Sequence, residues 1–150
     1  MDICQQFIAV NQNVSTYEEI IKRLVQKLYA VDYVTSQFLE HVLQRERLHP
    51  TGLETALYGV AIPHADEAHV MRSSIAVASL KEPVVFYQMG APEKKVKVKL
   101  VFLLAIKQSE DHLALMTKLM HIFNNKKLLQ QLAQSKDELT MMDQLQHYLE

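Results

Sequence analysis

His64 closes the run Gly59-Val60-Ala61-Ile62-Pro63-His64, in which an apolar segment and a proline deliver an imidazole to the point where the chain leaves its core. Pro63 fixes its own φ, and Ile62 before it is biased toward extended backbone. A neutral imidazole keeps one lone pair near pH 7, so a ring presented at a strand end has the placement of a covalent nucleophile. Without such a setting a lone histidine is a surface residue or a hydrogen-bonded core residue. The sequence leaves open which ring nitrogen is free.

Other chemistry is weaker. His64, Asp66, Glu67 and His69 offer imidazole and carboxylate, both zinc ligands, but their spacing is not that of a helical His-x-x-x-His pair and no second cluster accompanies them. No metal is therefore expected, and a metal-dependent hydrolase built on His64, Asp66 and His69 stands as a remote third class. Cys4 lacks a following phosphate-cradling loop and is expected to be a partly buried, inert thiol. Lys94, Lys95, Lys97 and Lys99 alternate at the start of a strand, which makes them a solvated face, with docking to an acidic partner as the alternative. His41, His49, His121 and His147 read as surface or structural residues, and the seven methionines mostly as core filling.

The elements that must hold His64 follow from periodicity. Phe7 to Val10 is a short strand. Tyr17, Ile20, Ile21, Leu24, Val25 and Leu28 recur at helical spacing behind two overlapping capping boxes, Thr16 with Glu19 and Ser15 with Glu18. A second helix is expected over 36–47, ended by His49-Pro50-Thr51-Gly52. Strands are expected over 57–62, 74–80, 84–87 and 96–106. The last alternates at first, then becomes wholly apolar from Leu100 to Ile106, as a strand covered on both faces does. Three helices follow: one capped by Ser109 and carrying Leu115, Met116, Leu119 and Phe123, one with Leu128, Leu129 and Leu132, and one capped by Ser135 with Glu138. The order β-α-α-β-β-β-β-α-α-α predicts an α/β (α+β) protein, a mixed sheet flanked by helices.

Composition narrows the classes. A chain of 150 residues is expected to form one domain, 1–150, with 49% hydrophobic and 22% charged residues, as a globular protein has. The formal charge of −1 supplies no general drive toward nucleic acid or anionic lipid. No apolar run approaches the ~20 residues of a bilayer span. The first residues lack the pattern of an export signal, and a single cysteine suits the cytoplasm.

The run around His64 resembles the phosphorylation-site signature of the fructose/mannitol-type enzyme IIA domains (EIIA type 2) of the bacterial phosphotransferase system. Upstream, Arg45-Glu46-Arg47-Leu48-His49-Pro50-Thr51-Gly52-Leu53 is similar to that family's R-E … P-T-G segment. Downstream, Glu110-Asp111-His112-Leu113 opens a helix like the family's H-L … L helix, so the resemblance covers nearly the whole chain. Glu67-Ala68-His69 and Ser73-Ser74-Ile75 place it nearest the galactitol-type branch.

The resemblance implies a mannitol-type IIA fold and a phosphoryl relay. His64 would accept a phosphoryl group from the phosphocarrier HPr and pass it to a cysteine of a IIB component, for uptake of galactitol or a related polyol or sugar through a IIC membrane protein. No cofactor is implied. Arg45, matched by the motif, would grip phosphate oxygens through parallel hydrogen bonds, while Arg47, two positions on, points to another side of its helix. His112 would be a second active-site histidine, the alternative being a plain helix-start residue. The competing function is a regulatory, nitrogen-type IIA module that senses phosphorylation and acts by binding. The absence of a helix-turn-helix in this sequence argues against direct transcriptional control.

Overall fold

The computed structural model describes residues 2–149, and of residues 109 and 110 the backbone alone. A 3-10 turn, Gln5–Phe7, leads into β1 (Ile8–Gln12). Helices α1 (Tyr17–Tyr29) and α2 (Phe38–Leu48) follow, then β2 (Gly52–Leu53), β3 (Gly59–Ala61), β4 (Ser74–Gln88) and β5 (Ala91–Ala105). Helices α3 (Ser109–Phe123), α4 (Lys126–Gln134) and α5 (Glu138–Leu149) complete the chain.

The order of strands and helices agrees with the expected one, but its membership differs. The two strands expected over 74–80 and 84–87 are one long strand, because the Leu80–Val84 stretch, with Pro83 in it, is absorbed as a register shift against β5. A proline donates nothing to a ladder and is accommodated at such an irregularity. β5 starts at Ala91, earlier than its apolar pattern suggested, since the exposed lysine segment pairs with the far end of β4 around a turn in which Gly90 adopts φ 79°. The strand over 57–62 is shorter, and two-residue β2 has no apolar alternation from which to foresee it.

The sheet runs β1-β4-β2-β3-β5, with β4 also paired to β5. β1 and β4 are parallel, β4 and β5 antiparallel, and β3 and β5 parallel. Alternation along β4 and β5 splits the core. Ala76, Ala78, Val101 and Leu103 face α1 and α2, where Ile20, Leu24, Phe38 and Val42 are fully buried. Ile75, Val77, Phe102 and Leu104 face the apolar sides of α3, α4 and α5. Leu100 to Ala105 are all buried, as a strand covered on both faces must be.

The N-terminal caps of α1 and α5 show how local chemistry starts a helix. Thr16 Oγ1 accepts from the Glu19 N–H at 3.3 Å, as the expected Thr16–Glu19 box requires, while Glu19 Oε1 accepts in return from the Ser15 N–H, one residue ahead of the cap. At α5 the cap is Asp137, whose Oδ1 accepts from the Thr140 N–H at 2.8 Å. Ser135 instead donates back to the Gln131 carbonyl, leaving the cap to the residue with the right offset. α3 begins one residue earlier than a Ser109 cap requires, with Gln108 in the capping position. The side chains of Ser109 and Glu110 lie outside the described residues.

Candidate active site

β3 runs parallel to β5, and Pro63 and His64 carry that pairing one step past its end. The Leu104 N–H donates to the Pro63 carbonyl at 2.9 Å, and His64 forms an isolated parallel bridge with Leu104. His64 therefore sits beside the C-terminal end of β5, where the chain turns into α3. In open α/β sheets this is the edge at which ligands gather. The ring is half-buried, and its Nδ1 lies 2.7 Å from the Ile62 carbonyl. A carbonyl only accepts, so Nδ1 carries the hydrogen and Nε2 keeps the lone pair. Burial pulls the imidazole pKa below its ordinary 6.5, opposed by the Ile62 hydrogen bond and assisted by the charges of Arg45 and His112. The ring is thus held as a neutral base with one defined free nitrogen.

Three segments converge on it. Arg45, from the last turn of α2, and His112, from the first turn of α3, line a cleft of about 510 Å³ together with His64, Ala65, Asp66 and Gln108. The His64 and His112 ring centroids are 5.6 Å apart. A neighbouring hollow bounded by Leu48, Pro50, Met89 and Met116 meets the same three residues. The Arg45 Nε is buried without a hydrogen-bond partner. An unpaired buried guanidinium N–H is costly, and an anion entering the cleft would supply the acceptor it lacks. The N-terminal end of α3 adds the positive pole of a helix dipole on the same side.

The remaining expectations separate cleanly. His69 turns away from His64 and lies against His41, with ring centroids 4.1 Å apart and its Nδ1 3.4 Å from Thr35 Oγ1. Among the described residues, no three His, Cys, Asp or Glu side chains come together as a metal would need. Arg47 is exposed and interacts with the Tyr17 hydroxyl, on a different side of α2 from Arg45. Cys4 is half-buried against the α1 side of the core. Val96 and Val98 are buried while Lys95 and Lys97 are exposed, so the lysines occupy a solvated face.

Two residues of this neighbourhood carry no role in the sequence reading. Glu46 is 4% exposed and Thr51 2% exposed. Both Glu46 carboxylate oxygens accept from Thr51, one from its N–H and one from its hydroxyl, each at 2.7 Å. The Arg45–Gly52 segment contains both residues, but a glutamate on a helix reads as solvated until the fold shows what covers it.

The family model for "Phosphoenolpyruvate-dependent sugar phosphotransferase system, EIIA 2" matches residues 3–148. The chain belongs to this family. It is a IIA-type phosphotransferase domain, as its likenesses also indicate. The 2-O-alpha-mannosyl-D-glycerate-specific EIIABC component of Escherichia coli is 39% identical over 117 residues, covering 75% of this chain and 17% of that protein. This IIA chain thus spans about a sixth of the length of that multidomain relative. The mannitol-specific IIA component of Bacillus subtilis is 28% identical over 139 residues, covering 91% of this chain and 90% of that protein. The fold is shared with Escherichia coli enzyme IIA for mannitol, solved in complex with phosphorylated enzyme IIB, with a TM-score of 0.80 and 21% identity, covering 97% of this chain and 98% of that one. No helix among the described residues of this IIA domain is long and apolar enough to cross a membrane.

Proposed function

We propose that this IIA domain is a cytoplasmic phosphocarrier in which His64 Nε2 takes a phosphoryl group from phospho-HPr and yields it to a cysteine of a IIB component. The lone pair on Nε2 attacks phosphorus as the bond from phosphorus to the donor breaks. The IIB thiolate then attacks the same phosphorus, and the Nε2–phosphorus electrons return to the ring. Nδ1 keeps its hydrogen throughout, on the Ile62 carbonyl. The observation that carries this reading is the unpartnered, buried Nε of Arg45 in the cleft that His64 lines. Charge spread over equatorial phosphoryl oxygens needs such donors. His112 and the α3 N-terminus supply the opposite wall. Exposed Leu48 and Met89 on the rim of the adjoining hollow give a protein partner apolar surface to cover.

Residues 1–150 act in this relay as a single functional domain. The cargo, carried by a IIC membrane protein, is galactitol or a related polyol or sugar, on the sequence pattern Glu67-Ala68-His69 and Ser73-Ser74-Ile75. Incubation with labelled phosphoenolpyruvate, enzyme I and HPr, followed by mass spectrometry, tests the relay. One acid-labile phosphoryl group on His64, absent from His64→Ala, is the expected result. An unlabelled chain beside fully phosphorylated HPr would remove the relay and leave the regulatory function.

A further inference from the structure

We propose that Glu46 and Thr51 are positioning residues that fix the tautomer and orientation of His64 through the backbone of Ile62. This rests on the assignment of His64 as the phosphoryl acceptor. Four hydrogen bonds connect a buried carboxylate to the imidazole. Thr51 donates its N–H and its hydroxyl to the two oxygens of Glu46, both at 2.7 Å. The Thr51 Oγ1, its hydrogen directed at Glu46, accepts from the Ile62 N–H at 3.2 Å. The Ile62 carbonyl accepts from His64 Nδ1 at 2.7 Å.

Each link has its direction forced by the one before it. A carboxylate facing two donors can only accept, so the Thr51 hydroxyl hydrogen points at Glu46 and a lone pair is left for Ile62. Ile62 is then held on three sides: its N–H by Thr51, its fully buried side chain by the α3 side of the core, and the following Pro63 by the Leu104 N–H. With its nitrogen and its successor both fixed, the Ile62 carbonyl has one direction left, toward His64 Nδ1. Pro63 cannot donate an N–H, and its fixed φ stiffens the step to His64.

The alternative is that Glu46 merely satisfies the turn after α2. That role would account for its bonds to Thr51. The antiparallel pairing of β2 with β3 brings Thr51 opposite Ile62, and there Thr51 Oγ1 accepts from the Ile62 N–H, a bond that a role confined to the turn does not include. Burying a carboxylate is costly unless it is fully hydrogen-bonded. Burial does push the Glu46 pKa up, while the two Thr51 bonds and the Arg45 charge draw it back. A glutamine in its place could accept one of the two Thr51 bonds, but its amide nitrogen cannot accept the other. Orienters of this kind govern which nitrogen of a histidine is reactive.

The test reads tautomer and transfer separately. Imidazole ¹⁵N spectra of wild type, with no phosphoryl donor present, are expected to show His64 protonated on Nδ1 and bare on Nε2. Thr51→Val keeps the shape and removes both the hydroxyl donor and the acceptor for Ile62. It is expected to populate both His64 tautomers and to slow uptake from phospho-HPr about tenfold, while Thr51→Ser restores both. If Thr51→Val does not fold, Glu46→Gln carries the same test, since its amide turns one donor against the Thr51 N–H or hydroxyl. A wild-type ring protonated on Nε2 overturns the proposal. So does a folded Thr51→Val or Glu46→Gln protein with the wild-type tautomer and rate. Should wild type take up no phosphoryl group at all, the acceptor assignment fails, and the tautomer spectra still decide whether the chain sets the ring.

Discussion

The two walls of the cleft are built differently. On the α2–β3 wall a chain of polar groups leads to His64: Glu46 is tied to Thr51, Thr51 to Ile62, and Ile62 to the imidazole. On the α3 wall His112 stands on the first turn of a helix whose capping position, Gln108, makes no side-chain cap bond. Its neighbour Leu113 is 73% exposed. One wall fixes the His64 imidazole by buried hydrogen bonds, which rigidify when fully satisfied. The other offers a second imidazole and a helix terminus at a solvent-facing edge, where a docking protein must also fit. In the proposed relay the nucleophile needs one geometry, while the partner-facing wall must serve a donor and an acceptor in turn.

This contrast is open to attack in several places. Replacing His64 with alanine removes the acceptor and should abolish phosphorylation outright, with the fold retained by circular dichroism; residual label on the variant would place the nucleophile elsewhere. Arg45→Ala withdraws the buried guanidinium and should slow transfer by roughly 10²-fold, the scale of losing one donor to a transferring group, read by single-turnover kinetics. Gly52→Ala strikes the fixed wall through packing alone. A Cβ there would lie 2.6 Å from the Tyr87 carbonyl oxygen, so β2 must move, at a cost of about 1–3 kcal/mol in chemical denaturation. Uptake by this variant should fall with the displacement of Thr51, one residue away. His112→Ala, on the looser wall, should slow transfer by less than about tenfold, and a larger loss would show that wall to be no less demanding than the first.

The smallest effect is on titration. Because burial and the charges of Arg45 and His112 lower the His64 pKa, the ring stays neutral as pH falls through 6.5, and its phosphoryl acceptance should persist into that range. Removing His112 takes away one of those charges, so the His64 midpoint should rise toward the ordinary value. An NMR titration of the two proteins measures the sign directly. An unchanged midpoint on removing His112 would mean that the two rings do not sense each other.

Much of this was legible in advance where a residue's surroundings are local. Helical spacing found α1, the wholly apolar run found the core half of β5, and Pro63 before His64 marked the strand end. Arg45 and His112 came from segment likeness, and the fold brings both to His64. What stayed hidden depends on distant partners. The join of two strands into β4 needs β5 opposite it to absorb the register shift. β2 is a strand only because Ala61 and Gln88 flank Gly52. Glu46 is polar, on a helix, and between two arginines, so nothing short of the packed α2–β3 junction distinguishes it from a solvated residue.

The bridge between His64 and Leu104 has a consequence in time as well as in space. The cleft takes residues from α2, from the end of β3 and from the start of α3, and the parallel pairing of β3 with β5 spans some forty residues of chain. Such long-range parallel pairings form late, after the entropy of closing the intervening loop has been met. A chain still being synthesised would therefore display the histidine well before β5 and α3 arrive to orient it. The closure of β3 on β5 completes the setting of the ring, so an unfinished copy lacks the Leu104 contacts that hold Pro63 and His64.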